Sequence, residues 1–333
     1  MVKFYLHNTK RREKMKEKPR RFGVIVFLLL WVFMPRGGSA EELGVIKVGY
    51  IPIGDCLQLY VADGMGFFKA EGIALRKRPM KGGAVIAPAV EAGEVDVGWS
   101  NAISIIIAHS KGFDFQFLTS GAISREGTNR VHSLLVAKDS PIRKVSDLAG
   151  KKVAINTLGN INELSMVALA DLNYVDIKKI QLVEVPFPNM ETALKRGSVD
   201  AILAVEPFVT LSISHGTARY LEKSVHKTYG KKFMIASWFA KEAWIEKNAK
   251  RASAFVRAVN RASDFTNAHP EKMPEFLVKN TKLTADLIEK ITMPAFSSKF
   301  DKGDLQRMID MAAKYNFIEK PFKAEEIMSK YIR

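Results

Sequence analysis

Two stretches of this 333-residue chain share one grammar. Residues 91–101 read EAGEVDVGWSN, and residues 193–207 read ALKRGSVDAILAVEP. In each, a helical run stops on a glycine, Gly93 or Gly197, and a Val-Asp pair follows, Val95-Asp96 or Val199-Asp200. An apolar strand then runs to a polar tip, Ser100-Asn101 in the first copy and Glu206-Pro207 in the second. A single copy is ordinary punctuation between a helix and a strand. Two copies, about a hundred residues apart, predict two α/β lobes. Open α/β sheets bind ligands beyond the carboxyl ends of their strands. The expected site is therefore a cleft with Ser100 and Asn101 on one wall and Glu206 on the other.

The segments around these copies extend the pattern. Residues 45–51 (VIKVGYI) alternate as a strand, and Pro52-Ile53-Gly54-Asp55 breaks it. Asp55 is placed to cap a helix over residues 56–64. A strand is expected at 73–78, a helix at 84–92 after Lys81-Gly82-Gly83, a helix over the apolar run 102–108, and a strand at 113–120. Strand and helix in alternation imply a largely parallel sheet. Residues 124–130 are polar and read as a loop.

Further on, strands are expected at 133–137, 153–156 and 180–185, a short helix at 145–151, and helices at 161–173 and 190–196. Thr157-Leu158-Gly159-Asn160 lies between a strand and a helix. Thr157 and Asn160 supply side-chain donors there, and the helix start supplies unpaired N–H groups, which suits an anionic or strongly polar ligand group. Capping of the helix by Asn160 explains the same residues. The Gly-Lys-Ser/Thr ending of a phosphate loop is missing. Phe187, within Pro186-Phe187-Pro188-Asn189, is either a stacking face for a ligand or a core aromatic. Residues 233–238 alternate as a returning strand, and residues 240–268 read as one helix, interrupted at His269-Pro270.

Formal net charge is +16, but half of it lies in the first forty residues, which hold ten Lys and Arg against two Glu. The rest is mildly basic, with no basic block interleaved with aromatics, so nucleic-acid binding gains no support. Cys56 is the only cysteine, which excludes an intrachain disulfide and a thiolate cluster. Six scattered histidines show no metal-ligand spacing. No metal, cofactor or catalytic constellation is expected. A strongly basic start, the apolar run VIVFLLLWVFM over residues 24–34, and small residues Gly38 and Ala40 form the pattern of a secretory signal cleaved after Ala40. Met1 and Met15 both offer starts. The apolar run is short of the roughly twenty residues that span a bilayer; an uncleaved anchor is the alternative.

With these residues in view, the chain resembles the periplasmic solute-binding proteins of ABC importers. The likeness is to the group that includes the nitrate-, sulfonate- and taurine-binding proteins and the thiamine-pyrimidine binders. It is carried by VGYIPIGDCLQLYVADGMGFFKAEGI, AVEAGEVDVGWSNA, LLVAKDSPIRKVSDLAGKKVAIN and ALKRGSVDAILAVEPF, from about Val45 to the helices near Asn280. The resemblance implies an α/β, two-lobed periplasmic-binding-protein fold of type II, with two hinge crossings near residues 133–137 and 233–238. It implies lobe I from residues 45–135 and 236–333, lobe II from 136–235, and residues 1–40 as signal peptide. By position, the ligand-binding residues would be Asp55, Ser100, Asn101, Thr157, Asn160 and Glu206, with Trp238 a lid or packing residue.

The implied function is capture of a small polar organic molecule by lobe closure and its delivery to ABC importer permease subunits, by a periplasmic monomer that is not an enzyme. Asp55 and Glu206 suggest an amine, amidine or hydroxyl on that molecule, such as a zwitterion or aminated ring. Arg125 and Arg130 are the basic residues that could reach the cleft. The competing classes are an enzyme on the same fold, related to pyrimidine-synthesising or menaquinone-pathway enzymes, and an extracellular ligand sensor. The cysteine-rich segment of the pyrimidine enzymes is missing here, and no Gly-x-Ser-x-Gly motif occurs.

Overall fold

Strand and helix alternate from the first described element. The computed structural model describes residues 42–125, 130–280 and 283–332. The basic and apolar start, with its expected cleavage after Ala40, lies outside the described residues. The chain opens with β1 (Gly44–Tyr50), α1 (Leu57–Gly64), α2 (Phe67–Ala70), β2 (Ile73–Pro79), α3 (Gly83–Glu91), β3 (Val97–Asn101), α4 (Ala102–Ser110) and β4 (Phe115–Ser120). Next come β5 (Ala122–Ser124), β6 (His132–Ala137), β7 (Lys152–Ile155), α5 (Ile161–Leu172), β8 (Gln181–Glu184), α6 (Phe187–Lys195), β9 (Ala201–Val205), α7 (Phe208–Ser214) and β10 (Ala218–Glu222). The chain returns through β11 (Phe233–Met234) and β12 (Ala236–Lys241). It ends with α8 (Glu242–Lys247), α9 (Ala249–Ala268), α10 (Met273–Asn280), α11 (Ala285–Ile288), β13 (Ala295–Phe296) and α12 (Lys302–Lys314).

Among the described residues these strands form two five-stranded sheets and one of three strands. The first sheet has the order β2-β1-β3-β12-β4 and the second β8-β7-β9-β6-β10. The two orders are the same. In each, three parallel strands are followed by one antiparallel strand, β12 or β6, which also pairs with the edge strand. The antiparallel strand reaches each sheet from a crossing between the sheets.

The crossings are β5 and β11, which pair with each other through Phe233↔Ser124 and Met234↔Ile123. β13 pairs with the other edge of β5, completing the three-stranded sheet. The sequence places the first crossing at residues 133–137, but the structure puts β6 there, an interior strand of the second sheet. Its hydrogen bonds run to β9 and β10, so the crossing that the resemblance implied here lies one strand earlier, in β5. Of the second expected crossing, residues 233–238, only the first two residues form β11; the remainder enters β12.

Central strands are apolar throughout. β3, β4 and β9 are buried at every position, as strands covered on both faces must be. In the second sheet, Leu134, Val136, Val153 and Ile155 pack with Met166 and Leu169 of α5, while Leu135, Ala154 and Ile202 face the main core with Met190 and Leu194 of α6. Each large side chain so buried contributes about 1.5–3 kcal/mol, so the sheet is held from both faces.

α9 buries Ala252, Phe255, Val256, Val259 and Ala262, at the spacing of a helix with one apolar stripe. The single helix expected over residues 240–268 is three elements. β12 runs to Lys241, and α8 and α9 are separated at Asn248, whose φ of −122° and ψ of 37° leave the helical range. The short helix expected at 145–151 is a 3₁₀ turn, Val145–Leu148. Trp238 is a packing residue and not a lid. It is fully buried, its ring meets Phe255 edge-on at 5.4 Å, and its Nε1 donates to Gln58 Oε1 at 3.2 Å.

The repeated motif has a structural cause. Gly93 and Gly197 adopt φ of 71° and 68°, the left-handed region in which glycine is favoured and which ends a helix. The aspartates then clip the first strand of each sheet. Asp96 Oδ2 accepts from Lys47 N at 2.7 Å, and Asp96 N donates to Lys47 O at 2.8 Å. Asp200 and Lys152 make the same two bonds, both at 2.8 Å. A backbone pair is thus closed by a side chain midway along β1 and at the start of β7, just before β3 and β9 begin.

Candidate functional site

The carboxyl ends of the two sheets carry all six residues picked from sequence, and all six are buried. Asp55 lies in a 3₁₀ turn, Gly54–Cys56, that follows β1. It does not cap α1, whose N-cap is Cys56 with no side-chain bond. Its Oδ2 instead accepts from His132 Nε2 at 2.6 Å. His132 opens β6 of the second sheet, and its ring sits 4.5 Å from that of His226. Burial, and then the neighbouring His132, hold the His226 imidazole well below the usual histidine range. The Asp55–His132 contact joins residues 77 positions apart, and no local spacing announces it.

Asn101 ends β3 and is the N-cap of α4. Its Oδ1 accepts from Ser104 N at 3.0 Å and from Ile161 N at 3.1 Å. The second donor is the first N–H of α5, so one side-chain oxygen joins the amino ends of two helices. Ser104, which the sequence did not single out, adds a bond from Oγ to Gly159 O at 2.9 Å. Ser100 Oγ donates to Asn101 O at 3.1 Å. The first turn of α3 presses against this tip. A Cβ on Gly83 would lie 1.9 Å from Ser100 Oγ, and one on Gly82 3.1 Å from Thr157 Cγ2, so Gly82-Gly83 lets the backbone enter between the Ser100 and Thr157 tips.

On the facing side, Asn160 caps α5. Its Oδ1 accepts from Asn162 N at 2.9 Å and Glu163 N at 3.1 Å, and its Nδ2 donates to Asn156 Oδ1 and Thr157 Oγ1, both at 2.8 Å. With Ile161 N bound to Asn101, the first three N–H groups of α5 all have protein partners. Of the two readings that the sequence left for Asn160, the structure displays capping.

Glu206 follows β9, joined to Pro207 by a cis peptide bond. Its carboxyl accepts from Thr210 N at 3.1 Å, Thr210 Oγ1 at 2.9 Å and Thr292 N at 3.3 Å. Thr210 is in α7, so Glu206 satisfies the start of that helix and also reaches the segment after α11. Burial pushes its carboxyl up to about 7, against the lowering effect of these three bonds and with a small further rise from Asp55. Its main-chain oxygen accepts from Gly54 N at 3.1 Å. The structure therefore gathers the picked residues in two groups: Ser100, Asn101, Thr157 and Asn160 around Gly82-Gly83, and Asp55 with Glu206 around Gly54.

Four contacts run from elements of the first sheet to elements of the second: Asp55 to His132, Gly54 to Glu206, Asn101 to Ile161 and Ser104 to Gly159. Beside them is a hollow of about 350 Å³, entered past residues 51–53 after β1, residues 79–81 after β2, residues 186–189 after β8, and Phe208. Phe187 forms part of its wall and lies nearly parallel to Phe208, with ring centres 6.1 Å apart and planes at 12°. Arg125 lines a different hollow, with Lys227 and Lys231 beside the crossing strands, while Arg130 acts electrostatically on Tyr220. Cys56 is fully buried and its thiol is pushed well above the usual range by burial, the opposite of what a nucleophile requires.

A matched pair of open α/β sheets, each completed by an antiparallel strand that follows a crossing, and meeting at their carboxyl ends, is the two-lobed periplasmic-binding-protein fold. The alkanesulfonate-binding protein SsuA from Xanthomonas axonopodis pv. citri, solved bound to MOPS, superposes with a TM-score of 0.73 at 16% identity, over 87% of this chain and 99% of that one. Residues 54–273 match the family model described as NMT1/THI5 like, and the chain belongs to that family. A putative aliphatic sulfonates-binding protein of Escherichia coli (strain K12) is 26% identical over 208 residues, which cover 62% of this chain and 62% of that relative. A 4-amino-5-hydroxymethyl-2-methylpyrimidine phosphate synthase of Aspergillus parasiticus is 24% identical over 225 residues, 64% of this chain and 63% of that one. Among the described residues no helix is long and apolar enough to cross a membrane.

Proposed function

We propose that this chain is an extracytoplasmic solute-binding protein that closes two lobes, one built on each five-stranded sheet with β6 wholly in the second, on a small polar organic molecule and delivers it to ABC importer permease subunits. The observation that carries the reading is the meeting of two identically ordered sheets, carboxyl end to carboxyl end, across four hydrogen-bonded contacts beside a hollow of about 350 Å³. Ligand in such a cleft stabilises the closed form, because only that form touches it from both sides. Asp55, Ser100, Asn101, Thr157, Asn160 and Glu206 are the proposed cleft residues, and the hydrogen bonds they make to one another define what a ligand must replace. The signal pattern before Ala40 and the sulfonate-binding relative support a periplasmic location. Chemistry on the same fold is the second reading, favoured by the synthase relative; the buried, weakly acidic Cys56 gives it no thiol nucleophile.

The test is native mass spectrometry of protein purified without denaturation, followed by small-angle scattering with the retained molecule removed and restored. A retained small molecule, and a more compact particle when it is restored, are the expected results. Unchanged dimensions at saturation would remove lobe closure from the mechanism.

A further inference from the structure

The hollow between the strand ends differs in chemistry from the polar tips beside it. Ile53, Met80, Phe187 and Phe208 give it apolar walls, and Lys81 and Asn189 are its polar members. Of its eleven lining residues Lys81 alone is charged, and no carboxylate is among them. Lys81 makes no ion pair with any described residue, and its side chain is exposed. The two carboxyls that suggested an amine ligand are engaged elsewhere, Asp55 with His132 and Glu206 with Thr210 and Thr292. Pro52, Pro79, Pro186 and Pro188 stand at the edges of the hollow. Their fixed φ values stiffen the three connections that frame it, so little ordering is left to occur on binding.

Size and shape narrow the occupant further. An apolar cavity of about 150 Å³ already admits benzene, and this one is about 350 Å³. Phe208 is half-buried and gives the hollow a flat aromatic face, backed by the nearly parallel ring of Phe187, which is buried in the core.

We infer that this hollow is a slot for a planar aromatic ring carrying one anionic group, the ring against Phe208 and the anion toward Lys81. The inference rests on the solute-binding reading and names the class of solute. It also separates this chain from a binder of small aliphatic anions, which would leave the aromatic wall unused.

The test is isothermal titration calorimetry of the purified protein with three probes: benzenesulfonate, ethanesulfonate and benzylamine. Benzenesulfonate is expected to bind at least about tenfold more tightly than either of the others. The exposed Lys81→Gln change should weaken benzenesulfonate by about tenfold, the value of one charge-assisted contact, with the melting temperature unchanged. Phe208→Leu should bring benzenesulfonate and ethanesulfonate close to equal affinity. Tighter ethanesulfonate binding, tighter benzylamine binding, or benzenesulfonate affinity that neither variant alters would overturn the slot while leaving a solute-binding protein. Heat from none of the three probes would overturn it as well, and the retained molecule in the mass spectrum would then decide the broader reading separately.

Discussion

The two five-stranded sheets share strand order and the glycine–aspartate clip, yet their tips differ almost completely. An offset of 104 residues carries Gly93 onto Gly197, Asp96 onto Asp200 and β3 onto β9. The same offset carries Gly82-Gly83 onto Pro186-Phe187, and Ser100-Asn101 onto Ala204-Val205. In the first half, missing side chains bring backbone between two polar tips. In the second, a ring at the equivalent position, Phe187, is buried in the core and backs the wall of a hollow. Backbone demands that any such sheet must meet are retained in both halves. The residues that end in the space between the sheets diverge, and on the proposed solute-binding reading two walls of one cleft would have different parts of a molecule to contact.

That contrast can be tested at three depths. The largest effect is expected at Glu206, whose equivalent in the first half is Ala102. Its carboxyl is raised to about 7 by burial, above the ordinary glutamate value of about 4.3. Stability contributed by the neutral acid is complete below the ordinary value and is lost as pH rises through 7. Thermal melts of the wild type should therefore fall away between about pH 4.5 and 7.5 by up to an order of 3 kcal/mol. Glu206→Gln should remove that slope. Parallel profiles for the two proteins would show that Glu206 is ionised at its present position throughout, and that the halves differ less in electrostatics than in shape.

A middle effect is expected at Gly83. Gly83→Ala places a Cβ against Ser100 Oγ and should lower stability by about 1–3 kcal/mol, the usual consequence of overpacking. Adding Ser100→Ala removes the colliding oxygen and should recover much of the loss. Additive losses in a double-mutant cycle of denaturant melts would mean that α3 moves away freely, and that the close approach is not what this half is built around.

The smallest effect concerns what the halves share. Asp96→Ala and Asp200→Ala each remove one side-chain acceptor of a backbone N–H and should each cost about 1 kcal/mol. Equal losses, measured by urea unfolding, would confirm one device used twice; a difference beyond about 1 kcal/mol would break the equivalence.

Legibility followed range. Gly93 and Gly197 were readable because helix termination is local, and the Val-Asp pairs marked strand starts for the same reason. What the aspartates do was hidden, since Lys47 lies 49 residues from Asp96. Asp55 illustrates the same limit: a local rule made it a cap, while folding brought His132 to it from the other sheet. Asn101 and Asn160 were picked as wall residues, and their local capping roles were correct for Asn160 and unseen for Asn101, whose second bond crosses to α5. The hollow left a partial trace. Phe187 between two prolines stood out, but Phe208, Met80 and Lys81 belong to it only through the arrangement of four separate connections.

The late return of β12 to the first sheet also bears on the order in which a growing chain can fold. β3 and β4 flank the position that β12 will occupy, and all three strands are almost wholly buried. Until residues 236–241 have been synthesised, β3 and β4 have unpaired edges of the kind that invite wrong partners. The second half, meanwhile, is begun by the crossing out of the unfinished first. The first sheet therefore cannot be completed until the chain has returned, whereas the strands of the second, β6 to β10, are contiguous from His132 to Glu222. The first must close late, through long-range pairings of β12 that form slowly. A chain interrupted between Glu222 and Ala236 would hold every strand of the second sheet and lack the one that joins β3 to β4 in the first.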